Sequence, residues 1–299
     1  MMQSPPGPNE IWTLAQIGRW PGLFRLRFRE LGFVLAPGLT PSLLPRLREA
    51  SRSAAEAARA DHPGKGGGRY IVALEAGPFA DYLADDPVQI VVSTLFGDVV
   101  RWNYLHGLLG DFRRDVDMVW HRDGMDRYAD ARGEMALLAR RQQLVQWNCP
   151  LYPDDDCFCF VPGTHRRLLT ADELACLREA PSGPLDGEIR FRLEVGTALY
   201  YNPTLLHLGR YRQGLLRETL HGGCESVWSR WRPWSVGYGK EYLLAQGYLE
   251  TLPPRLRPWL EQTRRFVREV KRGLVPRGDE LGSLAYSAMI RGEAGSESS

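Results

Sequence analysis

Val119-Trp120-His121-Arg122-Asp123-Gly124 is the stretch on which the reading of this chain turns. In an extended backbone residues two apart face the same way, so His121 and Asp123 can converge on one point at a strand end. Upstream, Val116, Met118 and Trp120 alternate with Asp115, Asp117 and Val119, which predicts a strand, and Gly124 lets the chain turn away. A His-x-Asp or His-x-Glu arises by chance in about half of chains of this composition, and alone it reads as a surface ion pair. Its context decides.

Downstream, Gly196 to Tyr201 is strand-like, Asn202-Pro203 interrupts it, and His207 follows Leu205 and Leu206. Gly209 and Gly214 bracket a turn before Leu215 to His221. This pattern predicts a hairpin with His207 on one arm and Arg217 on the other, with Thr219 and His221 on the same face as Arg217. Two imidazoles and one carboxylate can take one face of an octahedral ion and leave three positions open, the arrangement of non-haem Fe(II) oxygenases. The arginine fork matches a carboxylate, and a neighbouring hydroxyl can donate a further hydrogen bond to it.

Between these two stretches lies Gln146-Trp147-Asn148-Cys149-Pro150-Leu151-Tyr152-Pro153-Asp154-Asp155-Asp156-Cys157-Phe158-Cys159-Phe160-Val161-Pro162-Gly163-Thr164-His165-Arg166. A strand, an acidic turn, a short apolar strand and Pro-Gly-Thr-His-Arg in this order resemble the phytanoyl-CoA dioxygenase family of iron and 2-oxoglutarate oxygenases. Asp156-Cys157 stands where that family usually has Gly-Cys. Arg29 to Leu39 and Pro87 to Gly97 are similar to its opening strand and second helix, and the resemblance spans about residues 24–225.

The resemblance implies a double-stranded β-helix core, mainly β with flanking helices in an α+β arrangement. It implies Fe(II) held by His121, Asp123 and His207, with 2-oxoglutarate as co-substrate and O2 as oxidant. Arg217, aided by Thr219, would hold the far carboxylate of 2-oxoglutarate. Trp147 falls where the family often lines the co-substrate pocket, and Asn103 and Tyr104 are candidates for a further contact. An intact carboxylate at Asp123 implies hydroxylation or another oxidation of a C–H bond, because related halogenases carry a small residue there. The substrates of the family are small molecules, natural products among them. Two other classes remain open: a metal-dependent hydrolase or isomerase, which would not need Arg217, and a metal-free binding module.

The chain has 299 residues with 38 basic and 36 acidic, a balance that offers no field for nucleic acid. No apolar run is long enough to span a membrane. One domain over 1–299 is expected: a tail at 1–23, a strand and helices at 24–98, the β core at 99–235, and a helical region at 236–299. Met1 to Pro8 has no basic and apolar pattern of a secretory signal, and the five cysteines form no disulfide framework. Both fit the cytoplasm. The predominance of arginine over lysine suggests a GC-rich bacterial genome.

Thr40 is expected to cap a helix from Pro41 to about Arg59, and Thr170 with Glu173 to form a capping box. Ile189, Phe191, Leu193 and Val195 alternate with polar residues as a strand. His165 is expected to pin the loop after its strand. Cys157 and Cys159 read as buried thiols, and Asp61 to Gly68 as a linker. Trp228, Trp231, Trp234 and Tyr238 read as packing, and the tail as helices broken at Pro253-Pro254.

Overall fold

The computed structural model describes residues 5–61, 68–72, 74–110, 114–123, 131–140, 143–229 and 240–273. Most of the glycine-rich loop, the cluster from Arg230 to Tyr238, the excursion just after Asp123 and the C-terminal segment lie outside them.

Two short helices, α1 (Leu14–Arg19) and α2 (Pro21–Leu31), lead into β1 (Phe33–Pro37). They are followed by α3 (Leu44–Asp61), β2 (Gly68–Ile71), α4 (Pro78–Leu83) and α5 (Asp86–Phe96). The remaining strands are β3 (Val100–Gly110), β4 (Val116–Asp117), β5 (Leu144–Pro150), β6 (Phe158–Val161), β7 (Ile189–Arg190), β8 (Thr197–Tyr201), β9 (Leu206–Tyr211) and β10 (Arg217–Ser226). Between them lie α6 (Ala131–Arg140) and α7 (Ala171–Glu179), and α8 (Arg257–Lys271) follows. A six-stranded sheet in the order β1-β8-β5-β10-β3-β2 faces a four-stranded sheet in the order β4-β9-β6-β7, and their pairings are antiparallel. This is the double-stranded β-helix with flanking helices that the motifs imply.

Strand alternation sorts the core into two compartments. Val34, Ala36, Val145, Cys149, Ala198, Tyr200 and Leu220 pack outward against the helices, with Phe24, Val88 and Val91 among their partners. Phe33, Leu35, Phe160, Leu199 and Tyr201 point inward and line one end of the barrel. On the outer face of the small sheet Trp120, Cys159, Val161, Leu206 and Leu208 pack on Leu177 of α7. Burial lifts the thiols of Cys157 and Cys159 to about 12 and about 11, so both are inert packing groups, as expected.

The Pro-Gly-Thr-His segment fastens the sheets together. Thr164 Oγ1 donates to the carbonyl of Val161 at 2.7 Å and accepts the backbone N–H of Leu206 at 2.8 Å, fixing the residue before His207. His165 meets the carbonyl of Arg29 at 3.0 Å and pins the loop, as the sequence predicts. The imidazole lies so close to Gly32 that a Cβ there would sit 2.6 Å from Nδ1, and Gly32 has φ +83°; only glycine fits.

Several expectations are corrected. Thr40 does not cap its helix through its side chain: its N–H and hydroxyl both bond the Asp85 carboxylate, at 2.5 and 2.7 Å, and a 3-10 turn over Pro41–Leu43 precedes α3. The box at Thr170 and Glu173 forms as predicted, and α8 starts after Pro253-Pro254. The strand through Val195 shrinks to Ile189–Arg190, because Phe191 turns onto Phe33 and Phe160 and only Leu193 regains a bridge, to Asp155. Likewise β4 spans only Val116–Asp117, since the N–H of Trp120 is taken by the carbonyl of Pro181.

The predicted hairpin of His207 and Arg217 does not exist. β9 belongs to the small sheet and β10 to the large one, so the chain crosses between walls after Tyr211. Alternation along a strand shows which residues share a face, and that face is the barrel interior for both strands; it carries no information on which sheet each joins. Among the described residues no helix is long and apolar enough to cross a membrane.

Candidate metal centre

His121 and His207 form an antiparallel bridge between the short strand end after β4 and the start of β9. The N–H of each donates to the carbonyl of the other at 2.9 Å, which places both imidazoles on the inner face with centroids 4.3 Å apart. Asp123, two residues on, is held by its N–H to the carbonyl of Pro203 at 3.0 Å. Arg122 alternates to the other side, where its guanidinium donates to the carbonyls of Thr164 and Arg167 at 2.8 and 3.0 Å and pairs with Glu134 of α6. The residue between His121 and Asp123 is thus the tie that locks them to the Pro-Gly-Thr-His turn.

The three side chains offer ligand atoms within 4.8 Å of one another. Nε2 of His121 and of His207 lie 3.7 and 3.8 Å from Oδ1 of Asp123. Each imidazole turns Nδ1 to a carbonyl two residues earlier, Val119 at 2.8 Å and Leu205 at 2.7 Å. A carbonyl only accepts, so each Nδ1 carries the proton and each Nε2 presents a lone pair to the shared point. The amide of Gln146 donates to Oδ2 of Asp123 at 2.8 Å, leaving Oδ1 on the side of the imidazoles. Adjacent ligands of an octahedral ion at about 2.1 Å lie about 3 Å apart, within an ångström of these separations, so the donor set fits a divalent transition metal.

Electrostatics favour the same state. Burial works to raise the carboxyl of Asp123, but the imidazoles of His207 and His121 and the Gln146 bond outweigh it and keep it below the ordinary carboxylate value. Burial, with repulsion from His121, lowers His207 to about 4, so it is neutral at physiological pH. Phe158 stacks on the His207 ring at 5.1 Å and Tyr201 meets it edge-on at 5.8 Å.

Farther along the interior, β10 points Arg217, Thr219 and His221 inward, and cross-strand register sets Asn148 and His106 opposite His221. His221 Nδ1 lies 2.9 Å from Oδ1 of Asn148 and 3.2 Å from the carbonyl of Trp147. Its proton is therefore on Nδ1, and Nε2 accepts from the hydroxyl of Tyr104 at 3.0 Å. Tyr104 in turn stacks on His106 at 4.6 Å. Burial lowers His221 to about 4 and His106 to about 2, so this row is uncharged. No motif in the sequence marks Gln146, Asn148 or His106; counting in twos along β5 and β3 from the partners of Thr219 reaches them, as counting along β10 reaches His221.

Arg217 and Thr219 do face the interior, but both already hold a carboxylate. Arg217 Nε lies 3.1 Å from each oxygen of Asp155, and the Thr219 hydroxyl donates to Oδ2. Burial works to lower the ionisation of Arg217, and Asp155 beside it more than reverses that.

Trp147 is a clear correction. It sits opposite Gly222 on the helix-facing side of the sheet, where its indole N–H donates to the Tyr82 hydroxyl at 3.0 Å. A Cβ on Gly222 would lie 2.1 Å from the indole, so the glycine makes room for it. The interior belongs to its neighbours Gln146 and Asn148, and Trp147 does not face it.

No family model matches the chain, and no curated protein matches it. Solved structures do. AviO1 from Streptomyces viridochromogenes Tue57 aligns with a TM-score of 0.50 at 19% identity, covering 71% of this chain and 98% of that one. HygX from Streptomyces hygroscopicus, solved with nickel and 2-oxoglutarate bound, aligns with a TM-score of 0.51 at 20% identity over 69% of this chain and 87% of that one. The apo form of ThoJ, a non-heme monooxygenase, gives 0.51 at 14% identity over 69% and 78%. At these identities the likeness shows a shared fold.

Proposed function

We propose that this chain is an Fe(II)- and 2-oxoglutarate-dependent oxygenase that oxidises a C–H bond of a small molecule. The observation that carries the reading is the convergence of two Nε2 lone pairs and one carboxylate oxygen, each imidazole fixed by a carbonyl at Nδ1 and the carboxylate by Gln146. Three protein ligands on one face suit an ion that must also receive a chelating oxo acid and O2. The shared fold with HygX, a protein solved with 2-oxoglutarate, supports the choice of co-substrate.

With iron and 2-oxoglutarate bound, the centre would supply oxidation of a C–H bond at the expense of O2, releasing succinate and CO2. The chain's own part is positional. His121, Asp123 and His207 hold the ion, Arg217 presents its terminal nitrogens to the far carboxylate, and Phe158 and Tyr201 form an apolar wall beside His207 that excludes water. Asp123 fills the position that halide would need, so hydroxylation or a related oxidation is the reaction that fits. The motifs that resemble the phytanoyl-CoA dioxygenase family support the same reading.

Anaerobic addition of Fe(II) and 2-oxoglutarate should produce a metal-to-ligand charge-transfer band, and admission of O2 should yield succinate. A wild-type protein with no band, or a His207→Ala protein with an undiminished one, would sink the assignment and leave a hydrolase or isomerase on the same ligands.

A further inference from the structure

Of the three aspartates in the turn between β5 and β6, Asp154 is exposed and faces Arg192, and Asp156 pairs with Arg190. Asp155 alone turns inward, with 4% of its side chain exposed. Its carboxylate takes the Nε edge of Arg217, the hydroxyl of Thr219, and the N–H of Cys157 at 3.1 Å. Its backbone carbonyl accepts from Leu193 at 2.9 Å, so the residue is held from both sides and cannot swing away to make room. Withdrawing it from Arg217 would strand two buried opposite charges, which is far costlier than leaving the pair in place.

The guanidinium has five donors, and Asp155 occupies only its Nε edge. Nη1 donates to the Tyr211 hydroxyl at 3.3 Å, so the terminal fork is the part that can meet an incoming carboxylate. That carboxylate would meet a pair whose net charge is already zero. Hydrogen-bond fit would then hold the far end of an oxo acid, with little help from attraction between opposite charges.

We propose that Asp155 is a specificity-determining residue of the co-substrate pocket: an internal counter-ion that lowers the preference for a dianionic 2-oxo acid over one with an uncharged tail. It equally weakens the hold on a dicarboxylate product, which favours release. The proposal rests on the oxygenase reading above, and its test separates the two.

The Fe(II)-loaded protein is titrated anaerobically with 2-oxoglutarate and with 2-oxopentanoate, which has the same chain length and no far carboxylate, following the charge-transfer band. Asp155→Asn should bind 2-oxoglutarate at least about tenfold more tightly, with 2-oxopentanoate unchanged within about twofold. A general structural defect would move both ligands together. In the wild type, where the pair is neutral, the ratio of the two affinities should stay below about thirtyfold, and this measurement decides the matter if Asp155→Asn fails to fold. An unchanged or weakened affinity for 2-oxoglutarate in Asp155→Asn, or a wild-type ratio above about thirtyfold, overturns the proposal alone. A wild-type protein without a band overturns the oxygenase reading as well.

Discussion

The barrel interior holds two polar clusters that are completed in opposite ways. At the metal centre each ligand is tied at its back, by Val119, by Leu205 and by Gln146, and its front atom is left facing a common point. At the arginine, charge is closed within the protein by Asp155, which Thr219 also bonds, while Tyr211 meets one terminal nitrogen. The first cluster turns bare lone pairs to a common point; the second has already balanced its charge. On the proposed function, chemistry would belong to the first and selection among guests to the second.

The widest separation between them comes from substitution. His207→Ala should abolish Fe(II) binding and lower succinate formation by at least about a thousandfold, with a smaller fall in the urea midpoint than Arg217→Ala, since it removes a buried but neutral ring and strands no charge. Arg217→Ala should instead destabilise the fold by about 3–5 kcal/mol, because it leaves Asp155 buried without its partner; urea unfolding measures this. Equal stability losses in the two variants would erase the distinction.

Gln146→Ala frees the rear oxygen of Asp123 and should weaken metal affinity by about 10- to 100-fold, read by competition with a chelator. A pH series probes the buried histidines away from the ligands. His165 is lowered by burial from 6.5 to about 4, so between these values the unfolded chain binds more protons than the folded one. Its contribution is fully present above pH 6.5 and is lost as pH falls toward 4. At about 1.4 kcal/mol for each tenfold change in proton affinity this is of order 1–3 kcal/mol, and His165→Gln should flatten the fall in urea midpoint between these pH values. The smallest effect on the co-substrate is expected from Trp147→Phe: its KM for 2-oxoglutarate should stay within about twofold while stability drops by about 1–3 kcal/mol. A large rise in that KM would restore Trp147 to the pocket.

The convergence of His121, Asp123 and His207 was legible in the sequence because its logic is local. His121 and Asp123 need only a two-residue period, and His207 a strand of the same parity. The placement of Trp147 was not, since a single step along β5 exchanges interior for exterior and resemblance fixes a neighbourhood more firmly than a parity. The hairpin misreading has a related cause: a turn rich in glycine looks alike whether the strands it joins pair or part. Asp155 escaped because an acidic run beside proline reads as a solvated turn, and only the fold shows that its middle carboxylate lies against Arg217. His165 was legible, for its motif carries a structural task that the fold makes plain.

The crossing after Tyr211 puts His207 on one wall of the barrel and Arg217 on the other. A guest that reaches from the metal ligands to the arginine is therefore a strut between two sheets. Its length gauges their gap, and its binding should slow amide exchange in β9 and β10 together, although those strands share no ladder. On the proposed function, catalytic alignment is thus a property of how far apart the sheets stand, set by the packing between them as much as by the residues that touch the guest.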